Sequence, residues 1–228
     1  MYKLFYIALL LNSLFVFSQN YKVTYQIKYN IDLDTIKDNN RRIEYRNFLN
    51  DLSESYGVLH IQKNVAMFKQ QGKVATIGLP DEPFLRTNFY SSNSKIIITE
   101  NNTNGLNNWY YTFDDLHWEL TTESKKINNF TCYKAIGYLN QRGYIKGLKK
   151  LYVLAWYSPD IALPFGPKFF AGLPGLVFEG QYFDGSGEFF TLISIEKNKA
   201  ENFDLPKNID HYEVYMDKLE ERYNLIFK

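Results

Sequence analysis

Tyr21-Lys22-Val23-Thr24-Tyr25-Gln26-Ile27-Lys28-Tyr29-Asn30 decides the fold class, because its apolar and polar residues alternate without a slip. Tyr21, Val23, Tyr25, Ile27 and Tyr29 fall on one side of an extended chain, and Lys22, Thr24, Gln26, Lys28 and Asn30 on the other. Successive strand side chains point to opposite faces, so this is a half-buried antiparallel strand. The period then changes. Tyr45, Phe48, Leu49, Leu52 and Tyr56 recur at helical spacing and predict a helix from about Asp38 to Tyr56, ended by Gly57.

Downstream, short β segments separated by turn residues run to the middle of the chain and beyond. They are expected at 58–62, 65–69, 73–77, 84–90, 95–99, 109–113, 118–122, 130–139 and 148–156. Two more, 176–183 and 188–195, flank Asp184-Gly185-Ser186-Gly187, a hairpin signal. Tyr212, Tyr215, Met216, Leu219 and Tyr223 repeat the helical spacing near the end. The expected class is therefore α+β: a curved, mainly antiparallel, half-barrel-like sheet wrapped over two amphipathic helices, its convex face polar.

The chain has 228 residues, 45% hydrophobic and 18% aromatic, which suits one domain with a proper core and excludes disorder. Its 26 Lys+Arg nearly cancel 25 Asp+Glu, so no basic excess exists to hold a nucleic-acid backbone. Lys3 precedes an apolar run from Leu4 to Phe17 that is too short for a spanning helix of roughly 20 residues but suits a signal-peptide core. Val16 and Ser18 provide the small residues before a cleavage point between Ser18 and Gln19. The expectation is a signal peptide over 1–18, one domain over 19–228, and export to the periplasm or outside the cell with no transmembrane span after cleavage. The lone Cys132 lies in an apolar strand-like run and is expected to be a buried, inert thiol.

The densest stretch is Ala155-Trp156-Tyr157-Ser158-Pro159-Asp160-Ile161-Ala162-Leu163-Pro164-Phe165-Gly166-Pro167-Lys168-Phe169-Phe170-Ala171-Gly172-Leu173-Pro174-Gly175-Leu176-Val177. It resembles the GLPGLI family of exported bacterial proteins. The naming motif stands here as Gly172, Leu173, Pro174, Gly175, Leu176 and Val177, with Val in place of the last Ile. The similar layout reaches back through Trp118 and Cys132-Tyr133-Lys134-Ala135. The resemblance implies an envelope protein and assigns no activity or catalytic residue.

Physically, Pro159, Pro164, Pro167 and Pro174 each remove a backbone donor, while Gly166, Gly172 and Gly175 permit positive φ. Residues 158–175 should therefore form a stiff, folded-back connection. Its Phe165, Phe169, Phe170 and Leu173 need cover from water, either by plugging the curved sheet or by framing an apolar site. The leading functional expectation is binding of an apolar ligand or lipid in the half-barrel, lined by Trp156, Tyr157, Phe165, Phe169, Phe170 and Leu173. The argument for an open cavity is that the loop cannot enter deeply without burying unpaired backbone groups. The alternatives are an accessory protein docking an envelope partner through the aromatic loop, and a hydrolase using a carboxylate pair.

Catalytic patterns are thin. His60, His117 and His211 lie far apart, in no metal-ligand spacing, so no metal site and no cofactor are expected. Ser186 is one residue short of a nucleophile elbow. Asp114 with Asp115, and Glu179 with Glu188, are the candidate carboxylate pairs.

Overall fold

The computed structural model describes residues 20–30, 32–72, 88–92, 95–100, 109–113, 116–140, 150–182, 187–207, 209–211, 214 and 217. Among them, twelve strands form one sheet. In chain order these are β1 (Asn20–Asn30), β2 (Tyr56–Gln62), β3 (Val65–Gln71), β4 (Asn88–Ser92), β5 (Lys95–Glu100) and β6 (Trp109–Phe113). There follow β7 (His117–Ile127), β8 (Phe130–Asn140), β9 (Lys150–Ser158), β10 (Leu176–Tyr182), β11 (Gly187–Lys197) and the two-residue β12 (Asp210–His211). The spatial order is β12-β6-β5-β4-β3-β2-β1-β11-β10-β9-β8-β7. Every pairing is antiparallel except β12 on β6. The result is a curved half-barrel whose two arms are meanders joined through β1.

β1 takes this central place because both its flanks find partners. Tyr25 stands opposite Gly57 of β2 and Leu192 of β11. Val23, Tyr25 and Ile27 are buried on the inner face, as their alternation requires, while Gln26 and Lys28 stay exposed. Tyr25 reaches across the inner face and donates its hydroxyl to the Val177 carbonyl at 2.7 Å. Burial raises this phenol far above its usual range. The core continues through Leu59, Ile61, Phe68, Phe89, Val153, Ala155, Phe178 and Phe190.

After a short 3-10 turn at Leu33–Thr35 comes the α-helix α1 (Asn39–Ser53). Asp38 caps it by accepting the Arg41 amide at 2.8 Å. Its Phe48 is buried edge-on against Tyr29, 5.7 Å between ring centres. The helix stops before Tyr56 and Gly57, both of which belong to β2. Gly57 is therefore not a helix terminator. A Cβ there would overlap the Phe68 ring, so the glycine makes room for core packing across the strand. The apolar positions that predicted a second helix, Tyr212, Tyr215, Met216, Leu219 and Tyr223, lie outside the described residues. So do residues 1–19, with the expected signal peptide and its cleavage point, and the strand expected at 73–77.

The convex face is not uniformly polar. Val58, His60 and Met67 are buried although they face away from the inner core. Residues 199–207 run across β2 to β4 on this side, with Glu201 against His60 and Phe203 beside Tyr90.

Cys132 is fully buried in β8, as expected. Burial, reinforced by nearby Glu179, pushes its thiol up to about 11.

Candidate functional site

The connection between β9 and β10, residues 159–175, folds back on itself as its prolines and glycines require. The Gly172 amide donates to the Pro164 carbonyl at 3.0 Å, Leu176 to Ile161 at 2.9 Å and Val177 to Phe165 at 3.0 Å. Tight turns add Leu163 to Ile161 at 2.7 Å and Phe165 to Leu163 at 2.8 Å. The loop thus satisfies much of its own backbone, which removes the objection to its lying deep on the sheet. It does lie there: residues 165–171 are all buried.

Of the three glycines expected to allow positive φ, only Gly172 uses it, at φ 87°. Gly175 is required for space instead, because a Cβ would overlap the Ser158 carbonyl. Within the naming motif, Leu173, Leu176 and Val177 point into the core, while Gly172 and Pro174 are exposed.

The loop aromatics form one cluster with the inner face. Phe169 stacks on Phe170 with ring centres 5.2 Å apart, and Phe169 meets Phe89 at 6.4 Å and Tyr182 at 6.2 Å. Phe170, 1% exposed, packs against Phe190 at 6.0 Å and Trp118 at 6.3 Å. Trp118 also donates its indole N–H to the Ala171 carbonyl at 2.8 Å. Phe165 and Leu173 are buried in the same core. Tyr157 is buried beside Tyr133, their rings 6.3 Å apart.

Trp156 does not join them. It precedes Tyr157 in β9 and so faces the convex side, where Lys125 Nζ sits 4.4 Å over its ring. The six expected lining residues are thus split between two faces, and the five inner ones are packed within the protein's own core.

Sequence reasoning missed a charged group inside this apolar cluster. Lys168, 4% exposed and at φ 50°, forms an ion pair with the buried Glu188. Tyr29 donates its hydroxyl to the other oxygen of the same carboxylate. The Lys168 ammonium also lies 5.5 Å from the Phe89 ring centre and 5.8 Å from that of Phe190. The signal was a lysine set between Pro167 and Phe169, and a glutamate followed by two phenylalanines. A charge inside an apolar run requires a partner if the run is buried.

The candidate carboxylate pairs do not assemble. Glu179 faces the convex side, where Lys125 holds it at 2.5 Å, and Glu188 faces inward. Two carboxylates on opposite sides of a sheet cannot flank one bond. Asp114, Asp115 and Ser186 lie outside the described residues. His117 is exposed beside Tyr138, His211 is exposed in β12, and His60 is buried under 199–207. Among the described residues no three metal-ligating side chains converge. Nor is any described helix long and apolar enough to cross a membrane.

Residues 140–179 match the model of a protein family of unknown function (Porph_ging), a segment that contains the whole Pro/Gly connection. No curated protein matches the chain. Among solved structures, PNGF-II in a C2 crystal form is similar at 18% identity and a TM-score of 0.54, over 88% of this chain and 32% of that one. PNGF-II in a P21 form is similar at 18% identity and 0.53, over 88% and 33%. The likeness is one of fold, and this chain spans about a third of the length of those relatives.

Proposed function

We propose that the protein is a non-catalytic binding module of the cell envelope, exported through its N-terminal segment, and that its recognition surface is the outer edge of the 159–175 loop. The observation that carries this is the division of that loop into two rows. Phe165, Phe169, Phe170 and Leu173 are committed to the core, while Pro159, Ala162, Pro164, Gly172 and Pro174 are exposed. A loop anchored by buried aromatics and stiffened by prolines has little conformational freedom left to lose on association. The half-buried Trp118 borders the exposed row at Gly172. The occurrence of the same fold as a third of a larger chain supports the reading as a module.

Burial of the five inner residues among the six expected to line a site weighs against an acyl-chain site among them. A lipid would have to displace Phe169 and Phe170 from their stacked partners. The GLPGLI resemblance is carried by the stretch from Ala155 to Val177, inside the segment that matches the family of unknown function, and by a looser layout at Trp118 and Cys132-Tyr133-Lys134-Ala135 outside it. The expected partner is another exported envelope protein. A photo-crosslinking residue in place of Ala162 or Pro174, expressed in the native host, should give a discrete adduct that the same probe at Ile193 does not. If no adduct forms, and the detergent-free protein releases lipid on organic extraction, the apolar-ligand reading replaces this one.

A further inference from the structure

After β11 the chain turns back over the convex face. Gln62 Nε2 donates to the Glu201 carbonyl at 2.7 Å and to Asn202 Oδ1 at 3.2 Å. Lys69 forms an ion pair with the Glu201 carboxylate, and Phe203 lies 6.0 Å from Tyr90, ring centre to ring centre. At the middle of this strap, the Glu201 backbone N–H points at His60 Nδ1, 2.9 Å away.

That contact determines the protonation state of the ring. A backbone N–H can only donate, so Nδ1 must carry its lone pair and the single ring proton sits on Nε2. Nε2 is buried and no described residue bonds it. Glu201 Oε2 is 3.9 Å away, beyond hydrogen-bond reach, and already engaged by Lys69. A second proton can therefore enter only at Nδ1, where it would set one N–H against another. We propose that His60 is an acid-sensitive latch, whose protonation undocks residues 199–207 from β2 and β3.

The charged groups facing the ring come from three elements. Glu201 of the strap favours the imidazolium, while Lys69 of β3 and Lys22 of β1 oppose it. Lys22 is itself paired with Glu196 of β11 at 3.3 Å. Burial is the largest influence and, with the lysines, outweighs Glu201, so the ring titrates below its ordinary value of 6.5. The sign follows from linkage. With the strap released the ring binds a proton more readily, so docking is at full strength above 6.5 and weakens as the pH falls from there through the docked ring's lower value. Glu201 titrates below its usual 4.5, held there chiefly by Lys69, so it stays ionised across the upper part of that window.

The test is amide hydrogen exchange of Glu201 in the full chain, corrected for the intrinsic pH dependence of exchange. Between about pH 7.5 and about pH 5, protection of this amide should fall by about tenfold or more, while protection of the Tyr25 amide in β1 holds. In His60→Asn, whose Oδ1 can accept the same bond without titrating, protection should not change with pH. Unchanged protection in the wild-type chain overturns the latch, as does an equal fall in His60→Asn. Should the variant fail to dock at neutral pH, NMR titration of the wild-type protein decides instead. The His60 ring and the Glu201 amide must then shift with one midpoint, and separate midpoints overturn the proposal.

Discussion

Replacing Lys168 by Met tests whether the buried ion pair holds the loop onto the sheet. Methionine keeps the apolar stem against Phe89 and Phe190 and removes only the ammonium. Glu188, 7% exposed, is then left with the Tyr29 hydroxyl and no cation. Breaking a buried pair from one side costs about 3–5 kcal/mol, because the remaining charge stays desolvated and uncompensated. In a chain of this size each kcal/mol moves the melting temperature by roughly 2–4 °C, so Lys168→Met should melt about 6–20 °C lower. The double variant Lys168→Met with Glu188→Leu removes both charges and should recover most of that loss, to within about 1 kcal/mol of the wild type, since apolar replacements of buried pairs are often neutral or better. Calorimetry and urea titration of the wild type, the two single variants Lys168→Met and Glu188→Leu, and the double variant give the coupling energy directly. If the single variant Lys168→Met melts with the wild type, or the double variant melts as low as that single, the ion pair does not hold the loop onto the sheet.

Gly172→Ala should cost only about 1–2 kcal/mol, because its site is open and the penalty is positive φ alone, whereas Gly175→Ala must push back the Ser158 carbonyl and should lose more. Urea melts of the two variants give the order, and equal losses would contradict it. Tyr25→Phe leaves the Val177 carbonyl without its donor and should cost about 1–3 kcal/mol by the same assay. The Cys132 thiol should resist bulky reagents in the folded protein. Its raised value also means that its contribution to stability is full below the ordinary thiol value of 9.0 and declines as the pH rises toward about 11; Cys132→Ala should flatten the slope between about 9 and about 10, below the range where the buried Tyr25 phenol adds its own.

The sheet was legible because strands announce themselves locally. Period two in β1, and turn residues at regular intervals thereafter, predict the strands of the described residues with boundary errors of a few residues. Gly57 misled because a glycine after a helical pattern reads as a terminator, and only the fold brings the Phe68 ring against it. The loop was legible as stiff, but its depth was not. Its internal bonds, Gly172 to Pro164 and Val177 to Phe165, join residues whose pairing no local pattern encodes. The division of Trp156 from Tyr157 was available from strand alternation and outweighed by their shared aromatic character. His60 lay in an ordinary apolar run, and its role depends on a segment 141 residues away.

The place of β1 bears on how the chain comes to be folded at all. The first described strand to leave the ribosome is the central strand of the sheet, and its contact between Tyr29 and Glu188 joins residues 159 positions apart. Until β11 has been synthesised, β1 can pair only with β2, and its other edge stays open. Such long-range closure makes folding slow and leaves a nascent chain without its native core until almost all of it exists. A chain built this way keeps one edge of its central strand open until β11 is made, and any truncation before Lys197 should leave an aggregating species rather than a smaller domain.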